Sequence, residues 1–142
     1  MNKEVFLSCI IASRILHLYY HYCHLLLTGP TFVADHGLFK KFYKQLALDY
    51  DSLSEQFIQN IDKQEFDTVI INQLLSEELS KFKIEQLSLE EMFDYGLSFE
   101  EEFYSNLTKL DKQAPIGLRN LLGAIAEQSD TRKYKIRQRL EK

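Results

Sequence analysis

The sequence predicts an all-α protein, a four-helix bundle with a short helix in the connection between the second and third long helices. Two observations carry that prediction. Five Gly and two Pro among 142 residues leave few turn positions, which suits a few long helices better than a many-stranded sheet. Apolar residues also recur at helical spacing through long segments, two pairs of which are joined by short turns. The chain is long enough to bury a real core and is read as a single domain over residues 1–142, with no internal repeat, low-complexity tract or linker.

The first helix is expected from Glu4 to Leu27, apolar on most of its circumference, as in a helix buried in a bundle or an assembly. Gly29-Pro30 ends it, and Thr31 is the expected N-cap of a second helix reaching Gln59. That helix carries Phe39, Phe42, Tyr43, Leu46, Tyr50, Leu53 and Phe57 close to a helical period. Asp67 to Leu79 reads as the short connecting helix. Ser88 and Glu91 have capping-box spacing and open a third long helix from Leu89 to Leu110. Asp111 to Ala114 form the next turn, and Pro115 sits in the first turn of a fourth long helix near Ile116 to Leu140.

Charged residues make up 27 % and hydrophobic ones 45 %, an ordinary soluble balance, and the formal charge of −4 argues against a generally nucleic-acid-binding surface. Val5 to Ala12 is apolar, but Arg14, His17, His21 and His24 interrupt every window long enough to span a bilayer. No membrane association is expected. Cys9 and Cys23 lie fourteen residues apart on one helix, too far to bridge, and read as buried, reduced thiols of a cytoplasmic protein.

The chemistry centres on the first turn. His24 and His36 stand symmetrically about Gly29-Pro30, so antiparallel helices joined there bring the two imidazoles side by side. Asp51 and Glu55 share a stripe about 100° wide with His36 and Lys40 on the second helix. Asp51 is nevertheless fifteen residues beyond His36, roughly 22 Å along a straight helix, and cannot join it within one chain. A second copy related by a two-fold axis can supply it. In an antiparallel crossing of the second helices, pairing His36 with Glu55′ of the mate also pairs Lys40 with Asp51′. Two imidazoles and two carboxylates suit iron, zinc or manganese. The competing reading is ordinary surface charges and two half-buried histidines.

His24-Leu-Leu-Leu-Thr-Gly29-Pro30-Thr-Phe32-Val-Ala34-Asp-His36, followed by Asp51-Ser-Leu-Ser-Glu55, resembles the Dps family of mini-ferritins, the DNA-binding proteins from starved cells. The motif runs from His24 to Glu55. The resemblance implies a ferritin-like bundle assembled as a hollow dodecamer. It also implies that ferrous iron (Fe2+) is oxidised, preferably by hydrogen peroxide, and that ferric iron (Fe3+) is stored inside. Carried over by residue, His24 and His36 are metal ligands and ferroxidase residues from one subunit, and Asp51 and Glu55 from its mate. Zinc or manganese are the substitute ions. Ordinary ferritins instead build a di-iron site inside one bundle from Glu-x-x-His motifs, and this chain has none.

The chain departs from the family at several positions. Lys40 stands where another carboxylate ligand is usual, and an ammonium cannot ligate a metal. Leu25 replaces the aromatic residue that commonly follows the first histidine, and acidic pore residues have no clear match around Arg119 and Asn120. A non-catalytic shell or a DNA-compacting protein, with Lys40 replacing metal by an internal ion pair, is the alternative. His17 and His21 share a helix face with His24, with His21 the better-placed accessory ligand. Arg132, Lys133, Lys135, Arg137, Arg139 and Lys142 form a basic end. That end either complements the helix terminus or contacts DNA phosphates, and the acidic total charge disfavours DNA.

Overall fold

A computed structural model describes residues 1–141. Its five α-helices are α1 (Lys3–Leu26), α2 (Phe32–Asn60), α3 (Thr68–Leu79), α4 (Leu89–Asp111) and α5 (Ile116–Leu140), and the described residues contain no strand. The expected helices are all present. Their ends differ from expectation by a residue, as frayed helix ends commonly do. Two 3-10 turns, Lys63–Glu65 and Ile84–Gln86, flank α3 and were not foreseen.

The helices are bounded by local chemistry. Asn2 accepts from the backbone N–H groups of Glu4 and Val5, and Asp67 from those of Val69 and Ile70. These bonds satisfy amides that have no partner inside the helix. Ser88 and Glu91 make the expected reciprocal capping box, at 3.1 and 3.0 Å. Thr31 precedes α2 as expected, but its hydroxyl donates to the Asp35 carboxylate at 2.6 Å instead of capping a backbone amide. Pro115 lies one position before α5, not inside its first turn. Gly29 has φ +113°, a backbone conformation that glycine adopts without steric cost.

The hairpins α1–α2 and α4–α5 pack so that α1 touches α2 and α4, and α5 touches α4 and α2. The ring α1–α2–α5–α4 is the four-helix bundle. The long connection from α2 to α4 carries α3 across α1, where Ile71 and Leu75 seat against Ile11 and Ile15. Phe6, Leu16, Tyr20, Phe42, Phe93 and Phe103 are among the side chains fully buried in the main core. At Gly96 a Cβ would stand 3.1 Å from the Tyr20 ring, so the missing side chain lets α4 approach α1. Cys9 and Cys23 are buried and unbridged. Burial pushes each thiol up to about 12, which keeps both protonated and unreactive. No helix among the described residues is long and apolar enough to cross a membrane.

Candidate metal centre

His24 and His36 meet across the α1–α2 hairpin. Their rings stack with centroids 3.6 Å apart and planes 19° from parallel. Each imidazole Nδ1 lies 2.8 Å from the other residue's backbone carbonyl oxygen. The His24 carbonyl is near the end of α1, where carbonyls lose their intrahelical partners, and the His36 ring supplies the missing donor. A carbonyl oxygen only accepts, so both Nδ1 atoms carry hydrogen. In the neutral rings the lone pairs therefore sit on Nε2, which leaves that nitrogen free to ligate a metal. Burial lowers the pKa of His24. The hydrogen bond to the His36 carbonyl opposes that shift, while the nearby charges of His36, His21 and Lys40 add to it. His24 is consequently neutral at pH 7.

Aromatic side chains hold the pair. Phe32 stacks on His36 with centroids 4.7 Å apart, and Tyr43 stands edge-on to His24 at 5.3 Å. Tyr43 also stacks on His21 at 4.3 Å, with planes 15° apart. His17 is different. Arg14 lies 3.2 Å from its Nδ1 and can only donate, so that nitrogen's lone pair is engaged and the proton sits on Nε2. All four histidines of the chain line one α1–α2 seam, but the lone pair of His17 is already engaged by Arg14.

Asp51 and Glu55 are exposed farther along the same unbroken helix α2, as is Lys40 nearer His36. The chain brings the two histidines together and leaves both carboxylates on its surface. Among the described residues no three His, Cys, Asp or Glu side chains gather closely enough to hold a metal ion. The core face of α2 is Asp35, Phe39, Phe42, Leu46, Asp49, Leu53 and Phe57. The opposite face exposes Val33, Lys40, Lys44, Leu48, Asp51, Glu55 and Ile58. In the antiparallel register that sets His36 against Glu55′, Val33 faces Ile58′, Lys40 faces Asp51′ and Gly37 faces Ser54′. The stripe is thus self-complementary in charge and in apolar character. Ser54 Oγ, on that stripe, is buried without a hydrogen-bond partner, which is unusual for a buried hydroxyl.

Sequence reasoning missed the polar centre of the bundle. Glu100 accepts from Tyr20 at 2.6 Å, from Ser129 at 2.8 Å, and from Arg132 through Nε at 2.6 Å and Nη2 at 2.9 Å. Arg132 also reaches Gln45 at 3.3 Å. With its amide nitrogen turned toward the carboxylate, Gln128 donates to Asp49 at 2.7 and 3.2 Å. A guanidinium, not an open cavity, fills the space between the helices. The spacing of Tyr20, Glu100 and Arg132 carries no local motif, so only the assembled bundle discloses the cluster.

Most of the basic end is paired within the chain. Arg132 is buried on Glu100, Arg137 pairs with Glu101 at 3.0 Å, and Arg139 pairs with Asp35 at 2.9 Å. Lys133 is buried over the Tyr104 ring, 3.4 Å from Asp130. Lys135 lies against Lys41, which lowers its pKa. Lys142 falls outside the described residues. No protein-family model matches this chain, and no curated protein matches it closely enough to lend it a function.

Proposed function

We propose that this chain is a mini-ferritin subunit that oxidises ferrous iron at sites shared between two copies. His24 and His36 come from one copy and Asp51 and Glu55 from its two-fold mate. The observation that carries the reading is the reciprocal hydrogen bonding of the histidine pair, which fixes both rings in the metal-binding tautomer. Neutral imidazole and carboxylate are together suitable donors for ferrous iron, with zinc or manganese as substitutes. The self-complementary stripe on α2 supports the two-fold mate as source of the carboxylates.

Iron is the substrate here. Two Fe2+ ions each give one electron to hydrogen peroxide, the O–O bond breaks, and two protons complete two waters, leaving two Fe3+. The product is stored inside a closed hollow oligomer, most simply a dodecamer, and the cell is spared oxidative damage. Ferrous oxidation followed by absorbance with peroxide as oxidant tests this, comparing the wild type with His36→Ala. Oxidation above the uncatalysed rate in the wild type and its loss in the variant is the expected result.

Lys40 favours a second reading. It stands opposite Asp51′ in the proposed register, and an ion pair there leaves a structural shell without iron chemistry. That reading requires the same assembly but equal, background oxidation in both proteins. Pairing of the α5 basic residues within the chain weighs against a DNA-compacting role, because neutralised side chains contribute little to phosphate binding.

A further inference from the structure

We infer that Arg139, in the last turn of α5, is a positioning residue for the His24–His36 pair. Its guanidinium donates through Nε to Asp35 Oδ1 and through Nη2 to Asp35 Oδ2, both at 2.9 Å, the fork that matches a carboxylate edge-on. Nη2 also donates to Thr31 Oγ1 at 2.9 Å, and that hydroxyl donates to Asp35 at 2.6 Å. Asp35 is only 2 % exposed. Thr31, Asp35 and Arg139 form one closed clamp between the end of α5 and the first turn of α2.

The clamp acts on His36 through the backbone. Asp35 immediately precedes His36, and Thr31 is the residue before α2 begins. The His36 ring keeps its Nδ1 on the His24 carbonyl, and its own carbonyl on the His24 ring, only while the first turn of α2 holds its height and rotation. First turns fray, and the Gly29-Pro30 turn leading into this one is exposed. Asp35 and Arg139 also complement the dipoles of their own helices. Exposed side chains would serve that purpose equally well. Burial of the carboxylate and a three-bond grip on it are the features of an anchor. A residue 104 positions from Asp35 in sequence therefore sets the tautomer of the pair.

The consequence for metal affinity rests on the shared-site reading above, whereas the consequence for the rings does not. Magic-angle-spinning NMR of metal-free, 15N-histidine-labelled protein reads the tautomers directly, with only four histidines to assign. In the wild type His24 and His36 are both expected as the Nδ1–H form. In Arg139→Gln, and in the nearly isosteric Asp35→Asn, His36 is expected as a mixture of both tautomers. Cobalt(II) affinity, titrated optically, is expected to fall about tenfold, the lower end of what loss of an orienting partner costs a metal site. Arg139→Lys is expected not to rescue either signal, because one ammonium cannot bridge both carboxylate oxygens and Thr31. Unchanged tautomers and cobalt affinity in variants that keep their helical circular dichroism would overturn the inference, even if their Tm fell. A wild type with ordered tautomers that binds no cobalt would count against the metal site alone, leaving the NMR comparison to decide the role of Arg139.

Discussion

Glu100 and Arg132 form an ion pair wholly inside the bundle, 2.6 Å apart, with both side chains at 1 % exposure or less. The carboxylate takes four hydrogen bonds, so its desolvation is met by donors on every side. Breaking such a pair leaves one buried charge without a partner, which costs about 3–5 kcal/mol. Arg132→Ala and Glu100→Ala should each lose stability on that scale in urea unfolding. A well-packed hydrophobic pair, Glu100→Leu with Arg132→Met, should lose much less, because no charge is then left behind. Equal losses in the single and paired variants would show that shape, not charge, governs this position.

Asp49 makes the fold less stable as pH rises from 4 toward 7. Its side chain faces the core, away from the exposed Asp51, meets Gln128, and feels the charges of Arg132 and Glu100. Burial raises its pKa to about 6, helped by Glu100 and opposed by Arg132. The folded value thus lies above the unfolded one. The stability this residue contributes is complete below about pH 4 and is lost as pH rises through 6. The loss is at most about 3 kcal/mol, from two pKa units at 1.36 kcal/mol each. Asp49→Asn should remove that slope. Relative to the wild type, its unfolding free energy should be greater at pH 7 than at pH 4, as measured by urea titration at both values.

The fold was legible because its signals are local. The Gly29-Pro30 turn, the Ser88–Glu91 box and the apolar periodicity of α2 each act within a few residues. The meeting of His24 and His36 was equally legible, since a hairpin maps sequence symmetry directly onto space. The orienting bonds behind that pair were not. Arg139 reaches Asp35, and Arg132 reaches Glu100, through contacts between helices that no sequence spacing encodes. The run of basic residues in α5 therefore reads in sequence only as a basic end, although two of its arginines grip buried carboxylates.

Lys40 should weaken metal binding by placing a positive charge beside the site and by competing for Asp51′. Two unit charges 4 Å apart interact by about 4 kcal/mol at an effective dielectric of 20, before desolvation. A third of that changes affinity roughly tenfold. Lys40→Asp should therefore tighten ferrous and cobalt binding by about that factor and speed peroxide-dependent oxidation. Identical titrations for the two proteins, with assembly unchanged by size-exclusion chromatography, would remove Lys40 from the account.

The proposed site shared between copies is tested most directly by complementation. His36→Ala removes an imidazole from every site, and Glu55→Ala removes the opposing carboxylate. In a mixed dimer, the Glu55→Ala chain still offers both histidines, and the His36→Ala chain still offers both carboxylates. One of its two sites is then wholly intact, and the other carries both lesions. With random pairing, roughly a quarter of all sites are restored, given two-fold symmetry. Co-assembled variants, each inactive alone, should therefore oxidise ferrous iron at about a quarter of the wild-type rate. Mixed oligomers that stay as inactive as either variant alone, beside an active wild type, would contradict the assignment of ligands to two subunits.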